Sequence, residues 1–155
     1  MRIRQRAYLG LASDGLDPSQ ITELLGTEAS ETKVMGSRQS GPPPLPRSHL
    51  WKLESGVSDQ SPLEDHLTAL WPRLADLADG LQTFTSREDS SGRLQIVRYF
   101  EEGEEDFDEA TWGLPADSPF ERLGGQHPFL GWRLNAVQMQ FLVSVGLDLD
   151  VDEYG

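Results

Sequence analysis

The chain has 155 residues, no cysteine and a formal net charge of −13 at pH 7. The lack of cysteine excludes disulfide scaffolds, thiolate metal sites and thiol nucleophiles. The negative charge disfavours nucleic acid and anionic membranes as partners, because their phosphate groups would be repelled.

Length and composition predict a single domain spanning residues 1–155. A chain of this size buries roughly 68–70% of the surface that its unfolded form exposes, so it needs no metal or disulfide to fold. No stretch approaches the ~20 apolar residues of a membrane span, and the N-terminus does not resemble a signal peptide. We therefore expect a cytoplasmic protein that does not bind membranes.

The acidic charge is concentrated in the second two-thirds of the chain. Residues 1–54 carry seven basic and six acidic side chains, whereas residues 55–155 carry six basic and 20 acidic ones. Such a field would attract a basic partner. An acidic surface can also serve solubility alone, and the charge count does not separate the two.

The first third of the chain predicts strand, helix and strand. Apolar residues at odd positions indicate a half-buried strand over residues 3–13. Asp17, followed by proline, begins a short capped helix that Gly26 ends. Alternation over residues 49–54 indicates another strand, with Trp51 in the core.

A proline-rich loop is predicted between these strands, over residues 40–47, because proline fixes φ and lacks a backbone donor. We interpret it as a connector rather than a polyproline ligand. Residues 32–35 could form a brief strand before it.

The strongest helical pattern lies in the middle of the chain. Leucines recur at spacings of three and four from Leu63 to Leu81, after a capping box that starts at Ser61. Pro72 is expected to kink or divide the helix after Trp71. The apolar stripe is typical of a helix packed on a sheet.

A strand and an acidic segment follow this helix. Residues 93–100 alternate and predict a strand that begins after a turn at residues 90–92. The acidic loop, residues 101–109, has acidic side chains at seven of nine positions, and their repulsion should keep it exposed. Residues 112–131 are expected to be irregular.

The C-terminal segment predicts a third capped helix and a last strand. Asn135 caps the helix, Val137 begins its buried stripe, and Gly146 ends it. Leucine and valine alternate with aspartate over residues 147–152, which gives the strand an apolar face and a carboxylate face. The fold class is therefore α+β, with a mixed or antiparallel sheet of about five to six strands and two to three helices packed mainly on one face.

We also expect the two terminal strands to lie side by side. Arginines occupy positions 2, 4 and 6 of the first strand, and aspartates occupy positions 148, 150 and 152 of the last. Adjacent strands would place these rows opposite each other as cross-strand ion pairs.

Several of these segments, in this order, resemble a bacterial family known as domain of unknown function family 4279. They are the opening strand followed by Leu16 to Gly26, the Trp51-Lys52-Leu53 strand, the helix start at residues 62–67, and the closing strand from Gly146 to Val151. Residues 29–36, the proline run and the acidic block depart from the family's pattern. The resemblance implies an α+β fold and no established activity, so it implies no catalytic residue.

The sequence carries no known catalytic or metal-binding motif. The aspartates of the last strand begin like a calcium loop, but Glu153 occupies the position that requires glycine. His49, His66 and His127 lack metal-ligand spacing. Phosphate loops, dinucleotide-binding glycines and serine nucleophile elbows are missing. We predict no cofactor, no metal and no catalytic residue.

The sequence favours a non-enzymatic protein-binding module, such as an immunity protein that neutralises a basic toxin. Its predicted contact residues are carboxylates of the acidic loop and last strand, namely Glu101, Glu102, Glu104, Glu105, Asp106, Asp108, Glu109, Asp148, Asp150 and Asp152. One alternative is an enzyme or small-ligand-binding domain with an unrecognised pocket, for which the candidates are His49, Trp51, Trp132 and Arg133. A structural domain whose acidity serves solubility is a third.

Overall fold

The computed structural model describes residues 2–37, 45–101 and 131–155. These residues form five strands and four helices, which confirms the α+β class and gives one helix more than predicted. In chain order the elements are β1 (Arg2–Ser13), α1 (Pro18–Leu25), β2 (Glu31–Lys33), β3 (His49–Glu54), α2 (Leu63–Asp76), α3 (Ala78–Thr85), β4 (Ser90–Glu101), α4 (Ala136–Ser144) and β5 (Leu147–Tyr154).

The strands form one mixed sheet in the order β2-β3-β1-β4-β5. Every neighbouring pair is antiparallel except β4 and β5, which are parallel. The long strand β1 therefore lies at the centre, and β2 and β5 form the two edges.

The core lies on one side of this sheet. Odd-numbered residues of β1 are buried, and the register places Leu9 opposite Leu53 of β3 and Leu94 of β4. All four helices add side chains to the same apolar cluster. We call this side the helix face and the other side, which carries Tyr8 and Gly10, the open face.

The short helix α1 confirms the predicted caps. The Asp17 carboxylate accepts the backbone N–H groups of Ser19 and Gln20, and the Gln20 side chain accepts the N–H of Asp17. Gly26 ends the helix at φ 67°, in the left-handed region that favours glycine.

The central helix differs from its prediction at both its start and its break. The helix begins one residue later than expected, so Pro62 occupies the cap position and has no side-chain capping bond. Pro72 lies within α2, and the chain breaks at Leu77 instead. Proline is tolerated here because the carbonyl that loses its donor belongs to Thr68, an exposed residue.

Strand β4 begins at Ser90, so the predicted turn at residues 90–92 is wrong. Gly92 is a buried strand residue between two leucines. A Cβ atom on it would lie 2.5 Å from Cδ2 of Leu147 and 2.9 Å from Cδ2 of Leu11. Glycine therefore fits here because neighbouring side chains fill the space, rather than because the chain turns.

Helix α4 has the predicted capping box between Asn135 and Gln138. Its predicted stripe is partly wrong, because Val137 is 73% exposed while Leu142 and Val145 are buried. Apolar residues are spread around the helix among Gln138, Gln140 and Ser144, and the helix lies at the end of the sheet beside β5, where only one of its sides meets the core.

The predicted pairing of the terminal strands is wrong, because β4 lies between β1 and β5. The arginine and aspartate rows share the open face but are separated by one strand. Arg4 and Arg6 instead approach Asp59, and Nε of Arg4 donates to Glu101 at 2.8 Å. Side chains of β4 take the place of the arginines as partners of the aspartates.

Three sequence-predicted features lie outside the described residues. They are residues 40–44 of the proline-rich loop, residues 102–109 of the acidic loop, and residues 112–130 together with His127. Within the described ranges, no helix combines the length and the apolar character needed to cross a membrane.

Candidate functional site

Four of the ten predicted contact residues fall in the described part of the chain. Glu101 ends β4 and bonds to Arg4, so it is engaged within the sheet. Asp148, Asp150 and Asp152 project from β5 on the open face. The other six, Glu102, Glu104, Glu105, Asp106, Asp108 and Glu109, lie outside the described residues.

The aspartate row of β5 is partly neutralised by β4. Nη1 of Arg93 donates to Asp150 at 2.7 Å, and Nε2 of Gln95 donates to Asp152 at 3.0 Å. Asp148 is exposed at the start of the strand. The carboxylate face is therefore weaker in charge than the sequence count implies, and Asp148 is its most available member.

The opposite face of β5 and the adjoining helix expose apolar side chains. In the described part of the chain, 11 large hydrophobic residues are exposed, and six of them lie in α4 and β5. The six are Val137, Met139, Val143, Leu149, Val151 and Tyr154. Tyr154 lies on the open face with the aspartates, and we call the other five the C-terminal apolar patch. Sequence patterning missed it, because the alternation of β5 predicted an inward-facing apolar side.

Strand β5 is held to β4 by paired side chains on both faces. On the helix face, Nη1 of Arg98 donates to Glu153 at 2.6 Å, and the Arg98 side chain is only 4% exposed. On the open face, the rings of Tyr99 and Tyr154 stack with centroids 5.1 Å apart. These contacts fix the register of the edge strand and hence the position of its two faces.

A groove of about 300 Å³ crosses the open face over strands β2, β3, β1 and β4. Gly10 lies between Lys52 and Arg93 in one cross-strand row. Nζ of Lys52 lies 4.1 Å from the centroid of the Tyr8 ring, a cation–π contact. Burial raises the pKa of the Tyr8 phenol, although Lys52 and Arg93 oppose the shift. The phenol is therefore neutral at pH 7 and can donate a hydrogen bond.

A buried histidine anchors the loop between β3 and α2. Oγ of Ser55 lies 2.7 Å from Nδ1 of His66, whose side chain is buried. Burial lowers the pKa of His66, and the backbone carbonyl of Ser58 partly offsets that shift. A serine hydroxyl next to a neutral histidine is also the start of a nucleophilic pair. In the described residues, however, no carboxylate bonds to the ring to orient it, so we interpret the pair as a lock on the loop.

The candidate pocket residues of the sequence prediction all have other contacts or positions. Trp51 is fully buried, and its indole Nε1 donates to Thr22 at 3.0 Å. His49 accepts the backbone N–H of Met35, and Trp132 packs against the core. Arg133 is exposed. Of these four candidates, Trp51 alone is among the described residues that line the groove, and the charged residues of the groove were not selected from the sequence.

A family model described as Domain of unknown function (DUF4279) matches residues 2–155. The chain belongs to this family. Neither a curated protein nor a solved structure gives a significant match. Membership in DUF4279 confirms the resemblance seen in the sequence, and it assigns no activity.

The described residues of this DUF4279 chain give no evidence of a metal-binding site. No three histidine, aspartate or glutamate side chains within those ranges come together as a metal site. On β5, alternate carboxylates are about 6.8 Å apart along the strand, too far to share one cation without further ligands.

The His66 lock predicts a pH dependence of stability in this DUF4279 member. Because its pKa is lower in the folded state, the unfolded chain takes up a proton more readily, and stability is lost as the pH falls from about 7 toward 5. We expect the free energy of unfolding, measured with urea, to fall more steeply over this range than in His66→Gln. Parallel curves would contradict a buried, neutral His66.

Proposed function

We propose that this protein is a protein-binding module that docks a partner strand along β5, with α4 completing the contact surface. The observation that carries the proposal is the structure of β5 itself. An eight-residue edge strand has aspartates on one face and exposed apolar side chains on the other. This combination supports a partner with basic and apolar residues in alternation.

The first support is the free edge of the strand. β5 pairs with β4 on one side, and among the described residues no strand adjoins its other side. A row of unpaired N–H and C=O groups is a template for strand addition, and proteins usually shorten or cover such edges. The opposite edge, β2, has only three residues, so β5 is the better docking edge.

The second support is the C-terminal apolar patch. Leu149 and Val151 are 42% and 38% exposed on the helix face of β5, and Val143 of α4 is 80% exposed. Exposed hydrophobic residues that cluster on a protein surface mark interaction sites. The patch therefore supports an occupant that buries the apolar side of β5 and part of α4.

The third support is the charge of the open face of β5. Two copies of β5 paired edge to edge as antiparallel strands would bring their aspartate rows onto the same face, where like charges repel. An antiparallel pair of copies of this chain is therefore disfavoured at this edge. Lysine or arginine on the partner strand would instead meet Asp148 and its neighbours. Neutralisation of a basic toxin by an immunity protein is one function of this kind.

Fluorescence anisotropy with a labelled peptide tests the proposal. The probe is a peptide of alternating lysine and valine, about as long as β5, and the control peptide replaces lysine by glutamate. We expect the basic peptide alone to bind, with affinity falling as salt is raised to about 0.5 M. Equal binding of both peptides, or of neither, would contradict the proposal.

Variants of the two exposed apolar residues locate the binding surface. Replacing Leu149 and Val151 together by threonine keeps strand propensity but removes apolar contact area. We expect the affinity for the basic peptide to fall about tenfold or more, since each lost contact contributes roughly 1 kcal/mol. Val34→Thr is the matched control, because Val34 is 47% exposed and lies beyond the opposite edge strand. An equal loss in the control would place the peptide elsewhere.

A further inference from the structure

We propose that the groove on the open face binds a small monocarboxylate with a short apolar group. The site is formed by β2, β3, β1 and β4, and it adjoins the β5 docking strand through the ion pair of Arg93 with Asp150. Its charge, its shape and its apolar end each support this class of ligand.

The charge of the groove is opposite to that of the protein. The described residues carry 11 basic and 18 acidic side chains. The lining of the groove nevertheless has three cations and one carboxylate, namely Lys33, Lys52, Arg93 and Glu31. The acidic surface elsewhere on the protein repels a ligand carboxylate. A local excess of cations therefore favours the binding of an anion in the groove.

The cations keep hydrogen-bonding capacity for a ligand. Asp150 accepts from one nitrogen of the Arg93 guanidinium at 2.7 Å, and a guanidinium has five N–H donors. Nζ of Lys52 lies 2.7 Å from Oε1 of Glu54 and 3.6 Å from Oε2 of Glu31. Their carboxylate partners are 38–49% exposed, and ion pairs near the surface contribute about 0–1 kcal/mol, so a ligand carboxylate can compete with them.

Glycine at position 10 lets the Tyr8 ring lie across the row that holds the two cations. Lys52 and Arg93 are the cross-strand partners of Gly10 on either side, so their Cα atoms are about 10 Å apart. The atoms nearest to a Cβ on Gly10 would be Cε2 of Tyr8 at 3.5 Å and Cγ of Arg93 at 3.7 Å, so the Tyr8 ring lies over this glycine. A larger side chain there would displace the ring and narrow the approach of a carboxylate to the two cations.

The neighbouring row of the groove is apolar in its middle, with Lys33 at its β2 end. Ala12 lies opposite Leu50, one row from Gly10 on the same face, and Leu50 is partly exposed. The volume of about 300 Å³ is at the lower end for ligand sites, which suits one ring or a few carbons. The ligand would therefore place its carboxylate between the cations and its apolar group against Leu50.

Isothermal titration calorimetry with benzoate tests the assignment on the full chain. Benzamidine has the same shape with a positive charge, and benzamide is its neutral counterpart. We expect benzoate to bind with a dissociation constant of about 1 mM or below, and the other two to bind at least tenfold more weakly. No benzoate binding at tens of millimolar, or equal binding of benzamidine, would overturn the assignment.

Substitutions test whether benzoate binds in the groove or is attracted to any exposed positive charge. Arg93→Gln and Lys52→Gln are each expected to weaken benzoate binding about tenfold, with urea unfolding confirming that each variant folds. Arg87→Gln is the matched control, because Arg87 is also exposed and paired with an aspartate but lies outside the groove. Leu149→Thr with Val151→Thr should leave benzoate binding unchanged, so failure here is separable from failure of the β5 proposal. Equal effects of Arg87→Gln and Arg93→Gln would overturn the assignment.

Discussion

Replacing Trp51 by alanine is expected to lower the free energy of unfolding by about 3–5 kcal/mol. Trp51 is fully buried in the middle of β3, and it is among the largest side chains in the core. Its indole also joins the sheet to α1 through the hydroxyl of Thr22. Alanine would leave a cavity and remove this link, and the loss should be measurable as a lower urea midpoint by circular dichroism.

Trp51→Phe is the control that separates the cavity from the hydrogen bond. Phenylalanine fills most of the space but cannot donate to Thr22, so a loss of about 1–2 kcal/mol is expected. The Thr22 hydroxyl is partly exposed and can turn to water. Equal losses for the two variants would show that the hydrogen bond, rather than packing, dominates at this position.

Replacing Glu153 by glutamine is expected to cost about 1–3 kcal/mol. The guanidinium of Arg98 is buried, and the substitution removes a carboxylate 2.6 Å from it. Breaking a fully buried ion pair typically costs more, about 3–5 kcal/mol, but Glu153 is 50% exposed and water can partly replace it. Because this pair anchors β5, binding of the lysine and valine peptide should weaken as well.

A double variant tests whether the charge of Arg98 causes this loss. Arg98→Met together with Glu153→Gln removes the buried charge as well as its partner, and most of the lost stability should return. Urea unfolding of the wild type, both single variants and the double variant gives the coupling between the two sites. If the two losses simply add, the ion pair does not hold β5 in place.

Short sequence motifs predicted the features that depend only on neighbouring residues. The Asp17 and Asn135 caps and the glycine stop at Gly26 were correct, because each rests on hydrogen bonds within a few residues. The predicted start of α2 was one residue too early, because Ser61 and Pro62 are both residue types that occur at helix starts. The break at Leu77 was not predicted. Proline is a strong helix-breaking signal in a sequence, so the break was placed at Pro72, but Pro72 lies at an exposed position where the helix tolerates it.

The sequence pattern could not predict which strands are neighbours in the sheet. Alternation showed that β1 and β5 each have a charged face, but not that β4 would lie between them. The groove was missed for the same reason, since Tyr8, Lys52 and Arg93 are far apart in sequence and meet only through the register of three strands. The exposure of Val137 and Val143 follows from the place of α4 at the sheet end, which its composition does not reveal.

Amide hydrogen exchange on β5 tests the docking proposal most directly. The measurement compares exchange rates by NMR with and without the lysine and valine peptide. Strand addition at the free edge predicts slower exchange within residues 147–154 and no change in residues 31–33 at the opposite edge. Peptide binding that slows exchange at β2, or that leaves β5 unchanged, would contradict the account.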